Sequence, residues 1–165
     1  MSGAAGSERA ARKLLCVADG SAEARLAVVF AARRAALTGA GLVILRAVEP
    51  IESGLWATLG GSIRDRVADE AERDLQLLSD AARPVLGADP ELVVREGETG
   101  QQIRAVIDAD PAIKTLVLAA AGGRGGPGPL VSAAARGGLH GGSRAVVVMI
   151  VPGDLDDAAV LALAS

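Results

Sequence analysis

Two glycine-containing segments carry the residue types that could bind a ligand. One holds nine glycines between residues 122 and 142, and the other is Asp19-Gly20-Ser21. Glycine lets the backbone approach a phosphate closely, and the free amides at the start of a following helix attract an anion. The same glycines would also suit a flexible strand-to-helix connection, so both interpretations stay open. The candidate phosphate-binding residues are Gly122, Gly123, Gly125 and Gly126, with Arg124 as a mobile counter-charge.

Two side chains beside these glycines could contact the same ligand. Asp19 follows an apolar run, so its carboxylate would either face the ligand edge of a parallel sheet or form an Asx turn. Ser132 lies near the predicted start of the helix after the glycine cluster. Its hydroxyl and amide could donate to a terminal phosphate, or the hydroxyl could bond only to its own backbone.

Other chemistries are excluded by residues that the chain lacks. It has one cysteine, Cys16, and one histidine, His140, so an internal disulfide and a Cys- or His-based metal cluster are excluded. Cys16 lies within a predicted strand and is interpreted as an inert buried thiol. We expect Trp56 to close the edge of a core, with stacking on a base as the alternative.

Charge and hydropathy limit the partners and the location. The formal net charge is −3 and the chain has one Trp, one Phe and no Tyr, which argues against a nucleic-acid partner. No apolar run reaches the ~18 residues that a membrane helix requires. Residues 1–12 are small and polar without an apolar signal core, so they are predicted to be a flexible leader. We therefore expect a cytoplasmic protein without membrane contact.

Apolar runs alternate with helical spacings along the chain. Predicted strands cover 13–18, 42–48, 92–94, 115–120 and 145–151. The alternation, with strands that are apolar on both faces, predicts a single doubly wound α/β domain with a five-stranded parallel sheet and helices on both faces. We place this domain at residues 13–152 and an acidic C-terminal tail, partly helical, at 153–165.

The predicted helices have recognisable faces and starts. Ser21 is predicted to cap the first helix, and Thr99 with Gln102 forms a capping box for the third. A fourth helix is predicted over 130–139. The predicted buried face of the first helix consists of Leu26, Val29, Phe30, Arg33 and Leu37. That of the long second helix consists of Ile63, Val67, Ala71, Leu75, Leu78, Ala82 and Val85.

This order of elements and motifs resembles the universal stress protein family over residues 13–152. The shared features are Asp-Gly-Ser after the first strand, a second strand ending in Glu49-Pro50, a long helix and a late glycine loop. Nucleotide-binding members carry Gly-x2-Gly-x9-Gly-Ser/Thr after the fourth strand. In register with that motif, this chain has Ala119, Gly122, Ser132 and Ala133. Gly-Pro-Gly-Pro-Leu-Val at 126–131 resembles a proteobacterial subgroup.

The resemblance implies a topology, a ligand and an assembly. It implies the sheet order 3-2-1-4-5 and an adenine nucleotide, ATP, ADP or AMP with Mg²⁺, at the carboxyl ends of the strands. The implied nucleotide-binding residues are Ala18, Asp19, Gly20, Ser21, Ala47, Ala119, Gly122, Gly123, Arg124, Gly125, Ser132 and Ala133.

The last predicted strand is apolar and could form the interface of a homodimer. A long exposed apolar strand at a sheet edge is an aggregation hazard unless it is paired, and pairing across a twofold axis is the simplest solution. The resemblance implies the same homodimer. The implied interface residues are Val146, Val147, Val148, Met149, Ile150 and Val151.

Two functions remain open at this point. One is a dimeric regulatory module that binds adenine nucleotide, with at most slow ATP hydrolysis assisted by Mg²⁺ from solution near Asp19. The other is a stress protein without nucleotide, because three of the four motif positions depart from the family pattern. That protein would act as a dimeric interaction module for an unknown protein partner. No catalytic residue and no resident metal ligand is predicted.

Overall fold

The computed structural model describes residues 11–50, 60–137 and 144–165, so Trp56 and His140 lie outside the described residues. The strands are β1 (Lys13–Val17), β2 (Gly41–Val48), β3 (Glu91–Glu96), β4 (Ile113–Ala119) and β5 (Val147–Val151). The helices are α1 (Glu23–Thr38), α2 (Gly60–Leu86), α3 (Thr99–Ala109), α4 (Pro129–Ala135) and α5 (Asp157–Leu163).

The five strands form one parallel sheet in the order β3-β2-β1-β4-β5. One core cluster lies on each face of this sheet, which confirms the predicted doubly wound α/β fold. Successive residues of β1 alternate between the two clusters, so Leu15 and Cys16 are both fully buried. The strand order reverses between β1 and β4, and this reversal creates a crevice at the carboxyl ends of the strands.

The buried face of α1 matches the predicted one only in part, since Val29 is buried and Leu26 and Phe30 pack against the core. Leu37 is 49% exposed, whereas Ala27, Ala31 and Ala35 are fully buried. The reason is that α1 packs against the sheet, α2 and α5 at once, and close approach from several sides favours alanine. In α2 the predicted face is buried from Ala71 onward, where Ala71, Leu75 and Ala82 reach the core.

Both predicted helix caps are wrong. Ala22 occupies the N-cap of α1, while the Ser21 hydroxyl donates to Asp19 instead. Glu98, rather than Thr99, caps α3, and its carboxylate accepts the amides of Gly100 and Gln101, each at 2.8 Å. These two backbone amides hold the pKa of Glu98 below its ordinary value, because they favour the charged form.

The outer elements also differ from the sequence predictions. β3 is an edge strand whose Leu92 and Val94 are each 39% exposed, so it is not covered on both faces as predicted. α4 ends at Ala135 instead of continuing to residue 139. The acidic tail contains α5, which Asp156 caps and which packs against α1. Within the described ranges, no helix has the length and apolarity needed to cross a membrane.

Candidate functional site

A cavity of about 380 Å³ lies at the carboxyl ends of β1 and β2. Three of the residues predicted to bind nucleotide, Ala18, Asp19 and Ala47, line it. We call it the strand-end cavity. Because β4 is the other neighbour of β1, the glycine loop after β4 leaves the same edge of the sheet. The residues of the glycine loop do not line this cavity in the described structure. The remaining lining residues are Arg46, Val48, Glu49, Val67, Glu70 and Thr99.

The Asp19-Gly20-Ser21 segment forms a tight turn at the mouth of this cavity. Oδ1 of Asp19 accepts hydrogen bonds from the Ser21 amide at 3.0 Å and from its hydroxyl at 2.5 Å. Gly20 has a φ of +80°, a conformation that side chains other than glycine rarely adopt. The Asx-turn interpretation of Asp19 is therefore confirmed. Among the described residues the turn uses Oδ1 alone, so Oδ2 could still bind a ligand.

Arg46 is the residue of this site that the sequence analysis missed. Its Nη1 donates to the Ala18 carbonyl oxygen at 3.3 Å, and its Nη2 lies 4.0 Å from Oδ2 of Asp74. The guanidinium covers Gly20, since a Cβ built there would lie 2.8 Å from Nη1. The sequence feature that could have identified Arg46 is its charge near the end of an otherwise apolar strand. At that position, the side chain reaches the ligand edge of the sheet.

The glycine loop is an exposed turn that its backbone closes. The Ala121 amide donates to the Pro127 carbonyl oxygen at 3.1 Å, and Gly123 and Gly126 have φ values of 92° and 85°. The Gly122 amide donates to Oε1 of Glu23 at 3.4 Å. A carboxylate of α1 therefore contacts the first amide of the segment that was predicted to bind phosphate. The sequence gives no sign of this contact, because 99 residues separate the partners.

The last motif positions lie in or next to α4. The Ser132 amide donates to the Gly128 carbonyl oxygen at 3.1 Å as part of the helix. The expectation that this amide reaches a phosphate is therefore wrong, and the hydroxyl is the group by which Ser132 could bind. Ala119 and Ala133 pack against the two core clusters on opposite faces of the sheet.

Neither a reactive thiol nor a metal-binding cluster is present among the described residues of this site. Cys16 is fully buried, and burial raises the pKa of its thiol far above the ordinary value, which supports the inert interpretation. In residues 11–50, 60–137 and 144–165, no group of three His, Cys, Asp or Glu side chains could hold a metal ion. The arrangement therefore suits binding through backbone groups, one arginine and several carboxylates.

The same fold is present in solved universal stress proteins. UspA from Lactobacillus plantarum has a TM-score of 0.71 at 18% identity, covering 85% of this chain and 97% of that chain. A universal stress protein in complex with cAMP has a TM-score of 0.60 at 19% identity, covering 87% and 98%. A family protein from Burkholderia pseudomallei has a TM-score of 0.63 at 19% identity, covering 87% and 97%.

Comparisons of the sequence with known proteins decide to which family the chain belongs. A search of curated protein sequences finds no match. A profile described as the universal stress protein family matches residues 10–139. This match spans most of the chain, including β1 to β4 and the glycine loop. The chain therefore belongs to the universal stress protein family.

Proposed function

We propose that this protein is a dimeric regulatory module of the cytoplasm that binds an adenine nucleotide at the carboxyl ends of β1, β2 and β4. The strand-end cavity carries the proposal. Its volume of about 380 Å³ lies within the range of roughly 300–1,000 Å³ typical of small-molecule sites. It is also placed where ligands bind in doubly wound sheets. The structural relative solved with cAMP supports a nucleotide as the ligand class.

The neighbouring groups suggest how such a ligand would lie. Glu49 and Glu70 line the cavity with Asp19, and three carboxylates disfavour a polyphosphate there. The nucleoside would therefore occupy the cavity, where carboxylate oxygens can accept hydrogen bonds from its hydroxyl and amino groups. The phosphates would extend toward the glycine loop after β4, where Arg124 supplies positive charge. Mg²⁺ would arrive with the phosphates, and no hydrolytic step is proposed.

Adding ATP with Mg²⁺ is expected to raise the melting temperature. At a ligand concentration 100 times Kd, binding adds about 2.7 kcal/mol, and roughly 2–4 °C per kcal/mol gives a rise of about 5–10 °C. Differential scanning fluorimetry measures this shift. Ala47→Phe, which fills the cavity, should abolish it, whereas Ala162→Phe on the exposed surface of α5 should not.

A second function is favoured by one contact. The Glu23 carboxylate already accepts the Gly122 amide, as a bound phosphate would. A protein whose own carboxylate accepts the loop amide in this way could work as an interaction module without nucleotide. Mass spectrometry of the denatured protein separates the two functions. If no adenine nucleotide is released and ATP with Mg²⁺ gives no thermal shift, the interaction module is the better description.

The homodimer is proposed from the free edge of β5. Val147 is 59% exposed and Ile150 is 46% exposed on this edge strand. Unpaired apolar edges favour pairing with a second strand, and a twofold axis pairs β5 with its own copy. The family resemblance points to the same surface.

We expect sedimentation analysis to give about twice the chain mass of 16.5 kDa. Ile150→Glu should shift the protein to the monomer, because a desolvated carboxylate opposes burial in the interface. Leu37→Glu, at a leucine of similar exposure on α1, should leave the dimer intact. A monomeric wild-type protein, or equal effects of the two substitutions, would contradict the assignment of this interface.

A further inference from the structure

A second cavity lies at the opposite edge of the sheet, where the strands begin. Its volume is about 350 Å³, and it is bordered by the first residues of β1 and β4 and by the C-terminal end of α1. We call it the amino-edge cavity. The five residues of β1, which span roughly 16 Å, separate it from the strand-end cavity. The described linings of the two cavities share no residue, so a ligand in one does not occupy the other.

The lining of the amino-edge cavity is strongly basic. Among the described residues, four cationic side chains and no carboxylate line it, the cations being Arg12, Lys13, Arg34 and Lys114. The strand-end cavity has the opposite character, since three carboxylates and one arginine line it. The whole chain has a formal net charge of −3, so the positive charge at the amino edge is a local concentration. Such a concentration attracts anions into a cleft.

Most of this charge is not neutralised by the protein itself. Of the four cations, only Lys13 forms ion pairs within the described ranges, with Asp110 at 2.8 Å and Glu91 at 2.7 Å. Arg34 makes one hydrogen bond there, from Nη1 to the Ala164 carbonyl oxygen at 3.4 Å. A guanidinium has five N–H donors, so most donors of Arg34 have no partner in the part of the chain that the structure describes. Three cations of the lining therefore retain charge that a ligand could pair.

The cations of the cavity differ in how strongly they would hold an anion. Arg34 is half-buried, whereas Arg12 and Lys114 are exposed. A partly buried charge is screened less by salt and water than an exposed one. Arg34 is therefore the main binding group, and the two exposed cations add a weaker attraction.

The rest of the lining indicates the class of anion. Leu14, Ala40 and Met149 supply apolar surface, and Thr38 and Thr115 add hydroxyl groups. The described lining has no aromatic, amide or carboxylate side chain that would recognise a nucleobase. A guanidinium presents paired N–H donors that match phosphate oxygens. This combination suits a small organic molecule that carries a phosphate, rather than a nucleotide.

We propose that the amino-edge cavity is a second ligand site, which binds a small organic phosphate through Arg34 with the help of Arg12 and Lys114. The phosphate accepts hydrogen bonds from the Arg34 guanidinium, and the organic body lies against Leu14 and Met149. The cavity volume lies within the range of roughly 300–1,000 Å³ typical of small-molecule sites. This site does not depend on nucleotide binding at the strand-end cavity, because the two linings are separate.

The test is an NMR titration of the ¹⁵N-labelled full chain with phenyl phosphate as the probe. The amide signals of Thr38, Ala40 and Thr115 should shift as the probe is added, whereas those of Asp19 and Gly20 at the other edge should not. The titration also gives the affinity and therefore allows variants to be compared.

The variants test the roles of the cations. Arg34→Ala should weaken the affinity for phenyl phosphate about tenfold, as expected for loss of a charged donor to phosphate. Lys114→Ala should weaken it roughly two- to fivefold, as expected for an exposed charge. Arg73→Ala, which removes an arginine from the exposed surface of α2, should leave it unchanged. Circular dichroism shows whether each variant is folded.

Two controls separate this site from the proposed nucleotide site and from other anions. Ala47→Phe fills the strand-end cavity and should leave the binding of phenyl phosphate unchanged. Benzoate should bind more weakly than phenyl phosphate, because a phosphate carries more negative charge at pH 7 than a carboxylate. Binding of benzoate that is equally tight would overturn the assignment to phosphates. Signal shifts confined to the strand-end cavity, equal effects of Arg34→Ala and Arg73→Ala, or no binding by wild type would overturn the site itself, and none of these results would contradict nucleotide binding at the other edge.

Discussion

Gly153→Ala is expected to lower the free energy of unfolding by about 3 kcal/mol, at the upper end of the usual range for inserting a methyl group into packed structure. A Cβ at this position would collide with the Ala120 carbonyl oxygen and lie 2.9 Å from the Gly122 nitrogen. Both atoms belong to the backbone, so they cannot move aside as the end of a side chain can. The substitution must separate the turn after β5 from the start of the glycine loop.

Urea denaturation measures this loss, and thermal unfolding should shift by roughly 6–12 °C. Gly125→Ala is the matched control, because a Cβ there meets no atom within 4 Å. It should change stability by less than about 0.5 kcal/mol. Similar stabilities for the two variants would show that the contact between Gly153 and the loop does not constrain the fold. Similar stabilities would also argue that the contact with Gly153 does not fix the conformation of the glycine loop after β4.

Arg144→Ala is expected to cost about 3 kcal/mol. The guanidinium donates to three carbonyl oxygens, those of Ile113 at 2.5 Å, Ile107 at 2.6 Å and Asp110 at 2.7 Å. These acceptors lie at the C-terminal end of α3 and the start of β4, where helix carbonyls have no intrahelical partner. Hydrogen bonds from a charged donor contribute about 1.5–3 kcal/mol each, and their effects do not add fully when one side chain makes all three.

Chemical denaturation of three arginine variants checks this expectation. Arg73→Ala removes an arginine from the exposed surface of α2 and should change stability by less than about 0.5 kcal/mol. Arg144→Lys should recover only part of the loss, because an ammonium lacks the planar fork that reaches several acceptors. Equal costs for Arg144→Ala and Arg73→Ala would contradict the structural role of Arg144.

The candidate site shows which inferences the sequence supported. Asp19 was assigned to the ligand edge from the end of an apolar run and Ala47 from the family resemblance, and both line the strand-end cavity. The roles of Glu23 and Arg46 were not predicted. Glu23 contacts Gly122 across 99 residues, and Arg46 reaches Ala18 across 28, so neither contact follows from local spacing. Both depend on which strands become neighbours in the sheet.

The sequence by itself determined the alternation of strands and helices and the parallel sheet. Runs such as 14–17 and 42–45 are apolar at every position, which is stable only when both faces of a strand are covered. The tertiary structure decided which helix residues face the core, which residues cap the helices and how Arg46 covers Gly20. Those features depend on packing between segments distant in sequence. Leu37 is exposed and Ala35 buried because α2 and α5 approach α1 closely, a constraint that no periodicity within α1 contains.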